Sequence, residues 1–298
     1  MWIIFPLILG VVQGLAEFLP ISSSGHLALF QNFFGDGLAK YNDATAFTVL
    51  LHLGTLVAVF IVYRKDIAKM IPAFFTMMKK LCAPQKYKLA DYTLEERLDL
   101  LVIFGTVPLV FLYILDILVG KIFDFELLDT LDNIISGQPI VIGVILIFNG
   151  LMLFFSDNLQ GREKPMERFT LKNGLFVGIC QMVSALLPGL SRSGSTITGS
   201  RLSGMSCPDA VRYSFLLSIP AILGSAVVKL PNMFSDSSLG AGDWAVFAGA
   251  TVIACAVGLL SMKLLKYISA HSTFRSFSYY CFAVGGVAVV GGIIKLCI

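Results

Sequence analysis

The sequence predicts an all-α integral membrane protein with six transmembrane helices and two re-entrant helical hairpins in an inverted-topology repeat. The first observation is composition: 56% of the 298 residues are hydrophobic, only 14% are charged, and the mean hydropathy is +0.83. A soluble domain carries about 25% charged residues, so the composition argues against soluble enzymes, nucleic-acid binders and disordered proteins. The other two observations are long apolar runs and a polar motif that occurs twice, 168 positions apart.

Six apolar runs predict the full crossings. A spanning helix needs about 20 mostly apolar residues, because the hydrocarbon core is about 30 Å thick. The first run carries no formal charge apart from His52, and the second has Asp99 and Asp116 near its two ends. The runs are 44–63, 98–119, 140–155, 213–228, 244–262 and 277–294.

Two further apolar regions, 2–34 and 171–205, are interrupted by polar turns and are predicted to be the re-entrant hairpins. The arms beside each interruption are about 9 to 17 residues long. At 1.5 Å per residue the shorter arms fall well short of 30 Å, so each hairpin enters and returns to its own side. Irregular backbone at that depth is tolerated only where protein or a water-filled cavity surrounds it.

The two interrupted regions resemble each other. Gln13, Leu19 and Pro20 recur 168 positions later, and after one inserted residue the serine run of the first region aligns with that of the second. Such similarity is typical of a repeated membrane fold whose site lies at the repeat interface. We expect one polytopic domain over 1–298, with repeats at about 1–120 and about 140–298.

Basic residues predict the orientation. Eight Lys or Arg lie between Arg64 and Arg97, whereas the loops expected on the opposite side hold three lysines among eight carboxylates. The positive-inside rule makes 64–97 a basic cytoplasmic loop and places both termini outside. The first hairpin then enters from outside, the second enters from the cytoplasm, and their polar tips meet near the midplane in a cavity that opens outward. Ten full crossings also leave the termini on one side, and chiefly the short arms disfavour that arrangement.

Glu17 and His26 are the first candidates for chemistry. A lone carboxylate in an apolar segment costs several kcal/mol to insert, so Glu17 is expected to be paired or functional. Gln13 lies four residues earlier on the same helix face. His26 follows three serines and Gly25, and histidine is the commonest general acid–base. The alternatives are a structural acid bonded to hairpin amides and a satisfied, packed histidine.

Arg192 is the strongest signal in the second region. A permanent cation at a hairpin tip needs an anionic partner, and Glu17 alone could form a structural ion pair with it. The hydroxyls around Arg192 favour a different interpretation, because a guanidinium and the amides of a helix start suit a phosphate group. These hydroxyls belong to Ser191, Ser193, Ser195 and Thr196. The run of Ser22, Ser23 and Ser24 before His26 opens a second helix toward the same cavity.

Three other polar residues carry weaker predictions. His52 could reach the cavity or be a satisfied core histidine. Arg201 and Arg212 are predicted to extend to the cytoplasmic surface.

The two motifs together resemble the undecaprenyl-diphosphate phosphatase family, known for bacitracin resistance. The first motif runs from Gln13 through Glu17 and the serine run to His26, and the second runs from Leu187 to Thr196. The resemblance covers essentially the whole chain. It implies an integral enzyme of the bacterial inner membrane that removes the terminal phosphate of a C55 isoprenoid diphosphate and regenerates the monophosphate carrier for cell-wall synthesis.

The resemblance also implies roles at matching positions. Glu17 matches the second acid of the family's acid motif, and Gln13 stands at the first position as a binding or metal-shell residue, since an amide cannot act as a base. The catalytic stretch comprises the serine run and His26, and the phosphate-binding stretch comprises Ser191, Arg192, Ser193 and Thr196. The family is thought to depend on a divalent cation, Mg²⁺ or Ca²⁺. Glu17 is then the metal ligand, although one carboxylate is a thin site.

As a hypothesis, Arg192 and the tip amides hold the diphosphate while Ser23 attacks the terminal phosphorus. His26, oriented by Glu17, removes the proton of Ser23 or later activates water. His26 as the nucleophile and direct attack by water stay open. The competing class is a lipid-phosphate transporter or flippase that uses the same cavity, because inverted repeats with broken helices are typical of transporters. The partners implied are a polyprenyl diphosphate lipid and the membrane, with no nucleic acid.

Overall fold

The computed structural model describes residues 4–35, 44–83, 91–158, 164, 166–234 and 240–297, and these residues form α-helices with no β-strand. One short 3-10 helix, Met166–Arg168, precedes the second interrupted region. Trp2, predicted to begin the first hairpin, lies outside the described residues. The α-helices are α1 Ile4–Ala16, α2 Ser23–Phe34, α3 Ala44–Val62, α4 Arg64–Leu81, α5 Leu94–Phe123, α6 Leu127–Ser136, α7 Pro139–Asp157, α8 Leu171–Leu186, α9 Arg192–Leu202, α10 Cys207–Phe234, α11 Ala241–His271 and α12 Arg275–Cys297.

Five of these helices are long and apolar enough to cross a membrane, namely α5, α7, α10, α11 and α12. Each contains one of the predicted crossings. The remaining prediction, 44–63, corresponds to α3, which counts as a sixth span when it is taken together with α4. Apolar side chains face outward along the spans, as they do at Val227 and Ile122. The chain is therefore a multi-pass membrane protein.

The predicted cytoplasmic loop 64–97 is largely helical. Helix α4 begins directly after Tyr63 and turns 84° from the axis of α3. It exposes Ile71, Phe75 and other apolar side chains as well as Lys65 and Lys69. A helix with apolar and basic faces suits the membrane surface. The lysines indicated a loop, whereas the apolar residues between them at helical spacing produce a helix. Residues 84–90 of the predicted loop lie outside the described part.

The predicted interruption of both apolar regions is confirmed. Helix α1 ends at Ala16 and α2 begins at Ser23, while α8 ends at Leu186 and α9 begins at Arg192. The four helices have 13, 12, 16 and 11 residues. At 1.5 Å per residue they are roughly 17 to 24 Å long, so none of the four reaches across a hydrocarbon core.

The first helix of each interrupted region packs against a long helix of the other half: α1 contacts α11, and α8 contacts α5. Glycines allow backbone contact at both places. A Cβ atom on Gly10 would lie 2.5 Å from the Ala250 carbonyl oxygen, and one on Gly178 would lie 2.5 Å from the Gly105 carbonyl oxygen. Gly10 and Gly178 are themselves 168 positions apart. This reciprocal packing holds the two polar turns beside each other.

Candidate active site

A cavity of about 150 Å³ lies where the two polar turns meet. Its wall comprises the turn before α2, the start of α2, the end of α8, the start of α9, and single residues of α3 and α5. Seven of the ten predicted site residues line it together: Glu17, Ser22, Ser23, Ser24, Ser191, Arg192 and Ser193. The cavity is therefore polar, and both interrupted regions contribute to it.

The two helix starts at the cavity have the same hydrogen-bond pattern. The Ser22 hydroxyl accepts a hydrogen bond from the Gly25 amide at 3.1 Å, and the Ser191 hydroxyl accepts one from the Gly194 amide at 3.0 Å. Serine is a favoured residue at this capping position. The first two amides of each helix have no partner within the helix, and the helix dipole makes this end positive. The cavity consequently has two helix ends that suit an anion.

Glu17 lies at the centre of the polar contacts and is almost fully buried. Arg192 donates through Nη2 to Oε1 of this carboxylate. The hydroxyl of Ser23 and the amide of Gln13 donate to Oε2 at 2.8 and 3.0 Å. His52 places Nε2 3.3 Å from the same oxygen. A buried charge requires such partners, because its desolvation is expensive.

Two predicted binding residues lie behind the cavity wall. Gln13 is fully buried and reaches Glu17, but it does not line the cavity. The hydroxyl of Thr196 lies 2.9 Å from the Arg192 carbonyl and 2.6 Å from the Ser214 hydroxyl, and it does not line the cavity either. In this structure both side chains support the wall of the cavity.

His26 is not oriented by Glu17, so that prediction is wrong. Its Nδ1 donates to the Ser22 carbonyl at 2.7 Å, and its Nε2 lies 2.9 Å from the Tyr280 hydroxyl. The imidazole ring also stacks on Tyr280, with ring centroids 5.6 Å apart. His26 lies one helical turn after Ser22, so its ring can reach back to the Ser22 carbonyl. The other side of the ring faces α12. A catalytic role for His26 stays a prediction.

Asn149 is a polar residue at the site that the sequence analysis did not single out. It is fully buried on α7, and its amide donates to the Pro20 carbonyl at 2.8 Å. Its Oδ1 has no hydrogen-bond partner among the described residues and would lie 2.9 Å from a Cβ atom on Gly194. Asn149 thus lies between the first polar turn and the start of α9. A single amide in the otherwise apolar run 140–155 was the available signal.

The prediction for Arg201 is wrong. Its side chain is buried and pairs with Asp157 of α7 at 3.1 Å. Arg212 pairs with Asp66 of α4 and is partly buried. Each arginine pairs with a carboxylate that is distant in sequence. Because the ion pair compensates the charge, the guanidinium does not have to extend to the membrane surface.

The cavity residues do not fit a divalent cation that the protein alone would hold. Both oxygens of Glu17 already contact hydrogen-bond donors or cationic side chains. Within the described residues there is no group of three or more His, Cys, Asp or Glu side chains at metal-binding distances. A cation site built from protein oxygens needs several carboxylate or carbonyl ligands.

Fold and cavity together define a multi-pass membrane protein with a buried polar site suited to an anion. The chain matches the family described as Bacitracin resistance protein BacA over residues 6–287. It is therefore a member of this family.

Three curated relatives are similar over nearly their whole length, and each is named undecaprenyl-diphosphatase. The relative from Desulforapulum autotrophicum is 35% identical over 96% of this chain and 97% of its own. The relative from Methanobrevibacter smithii is 35% identical over 99% of both chains. The relative from Carboxydothermus hydrogenoformans is 37% identical over 95% of both chains.

Proposed function

We propose that this protein is an undecaprenyl-diphosphatase of the cytoplasmic membrane. It hydrolyses undecaprenyl diphosphate to undecaprenyl phosphate and inorganic phosphate, which recycles the lipid carrier for cell-wall synthesis. The observation that carries the proposal is one cavity that combines the Arg192 guanidinium, two helix starts, the Ser23 hydroxyl and the Glu17 carboxylate. The names of the relatives support the same activity. They do not support the transport alternative.

Phosphate binding is assigned to the two helix starts and to Arg192. A guanidinium has five N–H donors, so one contact with Glu17 leaves others for phosphate oxygens. The first amides of α2 and α9 supply further donors, and they carry no charge that must be desolvated. Donors arranged in advance around the transferring phosphoryl group stabilise the charge that spreads over its oxygens in the transition state.

The chemical step begins at Ser23. Its oxygen attacks the terminal phosphorus while its proton passes to Glu17 Oε2, which already accepts its hydrogen bond at 2.8 Å. The bond between this phosphorus and the bridging oxygen breaks, and undecaprenyl phosphate leaves with the electron pair. Glu17 passes this proton to the departing undecaprenyl phosphate and is again a carboxylate. Water then attacks the phosphorylated serine and loses a proton to Glu17, and inorganic phosphate leaves as Glu17 returns that proton to the Ser23 oxygen. Phosphate trapped on His26 would make His26 the nucleophile instead of Ser23. The absence of any covalent intermediate would indicate direct attack by water.

Arrangement in the membrane is part of the proposal. The proposed arrangement has six crossings and two re-entrant hairpins, in inverted repeats at about 1–120 and 140–298. Its cavity lies near the midplane and opens to the outside. The re-entrant hairpins are supported by the short lengths of the four helices beside the interruptions, α1, α2, α8 and α9. Reciprocal packing of α1 on α11 and of α8 on α5 supports the inverted repeat.

Two native cysteines provide a topology test. Cys82, at the end of α4, and Cys297, at the end of α12, are both exposed. In intact cells stripped of any outer layer, an impermeant maleimide is expected to label Cys297 and to spare Cys82 until the membrane is permeabilised. The reverse pattern would invert the proposed orientation. Removing both cysteines and placing one at exposed Ser24 then tests whether the cavity opens outward.

Phosphate release from undecaprenyl diphosphate by the purified protein in detergent tests the function. We expect multiple turnovers by the wild type, loss of activity in Arg192→Ala, and normal activity in Arg64→Ala, which removes an exposed arginine on α4. Normal turnover in Arg192→Ala would remove the phosphate-binding role. The same assay with a chelator tests the predicted dependence on Mg²⁺ or Ca²⁺. Lipid movement across liposomes without phosphate release would favour the transporter instead.

A further inference from the structure

Two histidines lie close to the polar turns, and they face different surroundings. His26 on α2 contacts Tyr280 of α12 and does not line the cavity. His52 on α3 lines the cavity beside Glu17. The imidazole that lines the candidate active site is therefore that of His52, on the helix after the first interrupted region.

The ring of His52 is held from its other side. Its Nδ1 lies 2.8 Å from the Thr48 carbonyl oxygen, which can only accept, so Nδ1 carries a proton and donates. One turn later the Thr55 hydroxyl donates to the His52 carbonyl at 2.8 Å. Helix α3 itself lies against α11, since a Cβ atom on Gly54 would be 2.4 Å from the Thr251 carbonyl oxygen. These contacts direct Nε2 toward the cavity.

Nε2 of His52 and the hydroxyl of Ser23 approach the same oxygen of Glu17. The distances to Oε2 are 3.3 Å for His52 and 2.8 Å for Ser23. Arg192 holds the other carboxylate oxygen. The carboxylate is thus fixed at both ends, and its orientation toward Ser23 depends on the group that balances the pull of Arg192.

We infer that His52 is a positioning residue that holds Glu17 Oε2 against Ser23. The inference rests on the proposed phosphatase function and adds a residue that neither interrupted motif contains. Without His52, Oε2 keeps only Ser23 and Gln13 as partners, and the carboxylate turns toward Arg192. Proton acceptance from Ser23 then loses its geometry, whereas the helix ends and Arg192 still bind phosphate. The effect should therefore fall on kcat and leave KM nearly unchanged.

The test measures steady-state phosphate release by purified wild type, His52→Ala and His52→Gln. We expect kcat of His52→Ala to fall about 10²-fold, the size of loss that a small misplacement of a catalytic group produces. KM should change less than twofold. His52→Gln should recover most of the rate, because its amide can donate to Glu17 as Nε2 does when both ring nitrogens of His52 carry a proton. A role limited to stability would lower Tm in both variants and would not separate them kinetically.

His271→Ala is the matched control, because it removes an exposed histidine at the end of α11 that contacts only Tyr267 among the described hydrogen-bond and ring partners. Its kcat should equal that of the wild type. A normal kcat in His52→Ala, or a rise in KM without a change in kcat, would overturn the inference for His52. A wild type that releases no phosphate would instead overturn the proposed function, so the two failures are distinguishable.

Discussion

The starts of α2 and α9 share a capping hydrogen-bond pattern and differ in the side chains that they present. In both, the hydroxyl of the capping serine accepts a hydrogen bond from the amide of a glycine three residues later. The hydroxyl of a second serine, two residues after the cap, lies 3.2 to 3.4 Å from the capping hydroxyl. The residue directly after the cap is Ser23 in α2 and Arg192 in α9, and both donate to Glu17. The feature that both regions share is thus a serine-capped helix start whose amides can bind an anion. Among the four residues from the cap to the glycine only this position differs, and the proposed chemistry depends on it.

The turns that lead into the two helices also differ by one residue. From the shared proline to the cap, the second turn is longer by one residue and has Gly189 at φ +96°, whereas the first turn has no glycine and places the cap itself, Ser22, at φ +74°. A non-glycine residue in this region is strained. The Ser24 hydroxyl accepts a hydrogen bond from the Gly189 amide at 3.2 Å, so the two turns stabilise each other across the cavity.

Removing the negative charge that both helix starts share should have the largest effect. Glu17→Gln keeps the shape of the side chain but abolishes the attraction for Arg192 and the acceptor for the Ser23 proton. Phosphate release is expected to fall about 10³-fold, within the range of a general base. Initial rates of the purified variant in detergent measure it. Glu126→Gln, at an exposed carboxylate, is the control, and a Glu17→Gln rate near that of the control would contradict the shared role.

The reciprocal packing of the two halves predicts equal sensitivity at Gly10 and Gly178. Alanine at either position places a Cβ atom 2.5 Å from a backbone oxygen, so the helices must separate. We expect each variant to lose about 1–3 kcal/mol of stability, seen as a lower Tm in detergent. Gly224→Ala meets open space and should leave Tm unchanged. A loss at only one of the two glycines would show that the halves are not equivalent in packing.

Asn149 lies between the first turn and the start of α9, so its replacement should loosen the contact between the two interrupted regions. Asn149→Leu leaves the Pro20 carbonyl without its partner, at a cost of about 1–2 kcal/mol. Both Tm and phosphate release should fall. Asn158→Leu, at an exposed position one residue after α7, is the matched control. An unchanged rate with a lowered Tm would restrict Asn149 to folding.

The smallest effects should come from the two caps. Ser22→Ala and Ser191→Ala each remove a hydrogen bond to a glycine amide and should cost about 1 kcal/mol. Thermal unfolding in detergent compares them directly. If the strained backbone at Ser22 depends on its cap, Ser22→Ala will be the more destabilising of the two. Ser203→Ala, at the far end of α9, provides the reference.

Local signals predicted the interruptions and most of the cavity residues, because Pro20 and Pro188 follow the ends of α1 and α8 and serines cap the starts of α2 and α9. The same local reasoning failed where a partner is distant in sequence. The proximity of His26 to Glu17 in the chain indicated a pair, yet the helical turn after Ser22 directs His26 to Tyr280. His52 lines the cavity, which is one of the two alternatives that the sequence left open, whereas Asn149 was missed, and both reach the site through the packing of α3 and α7. Arg201 and Asp157 are 44 positions apart and meet for the same reason.

The contact of α1 with α11 also determines when the first tip can mature during synthesis. Gly14 leaves the ribosome 240 positions before Ala254, whose carbonyl it contacts in the finished protein. At about 5 to 20 residues per second, that interval lasts roughly 12 to 48 s. Throughout it α1 has no α11 to pack against, and Glu17 has no Arg192 until 175 further residues have been made. The turn that contains Glu17 is therefore without its charged partner and its packing partner for most of translation.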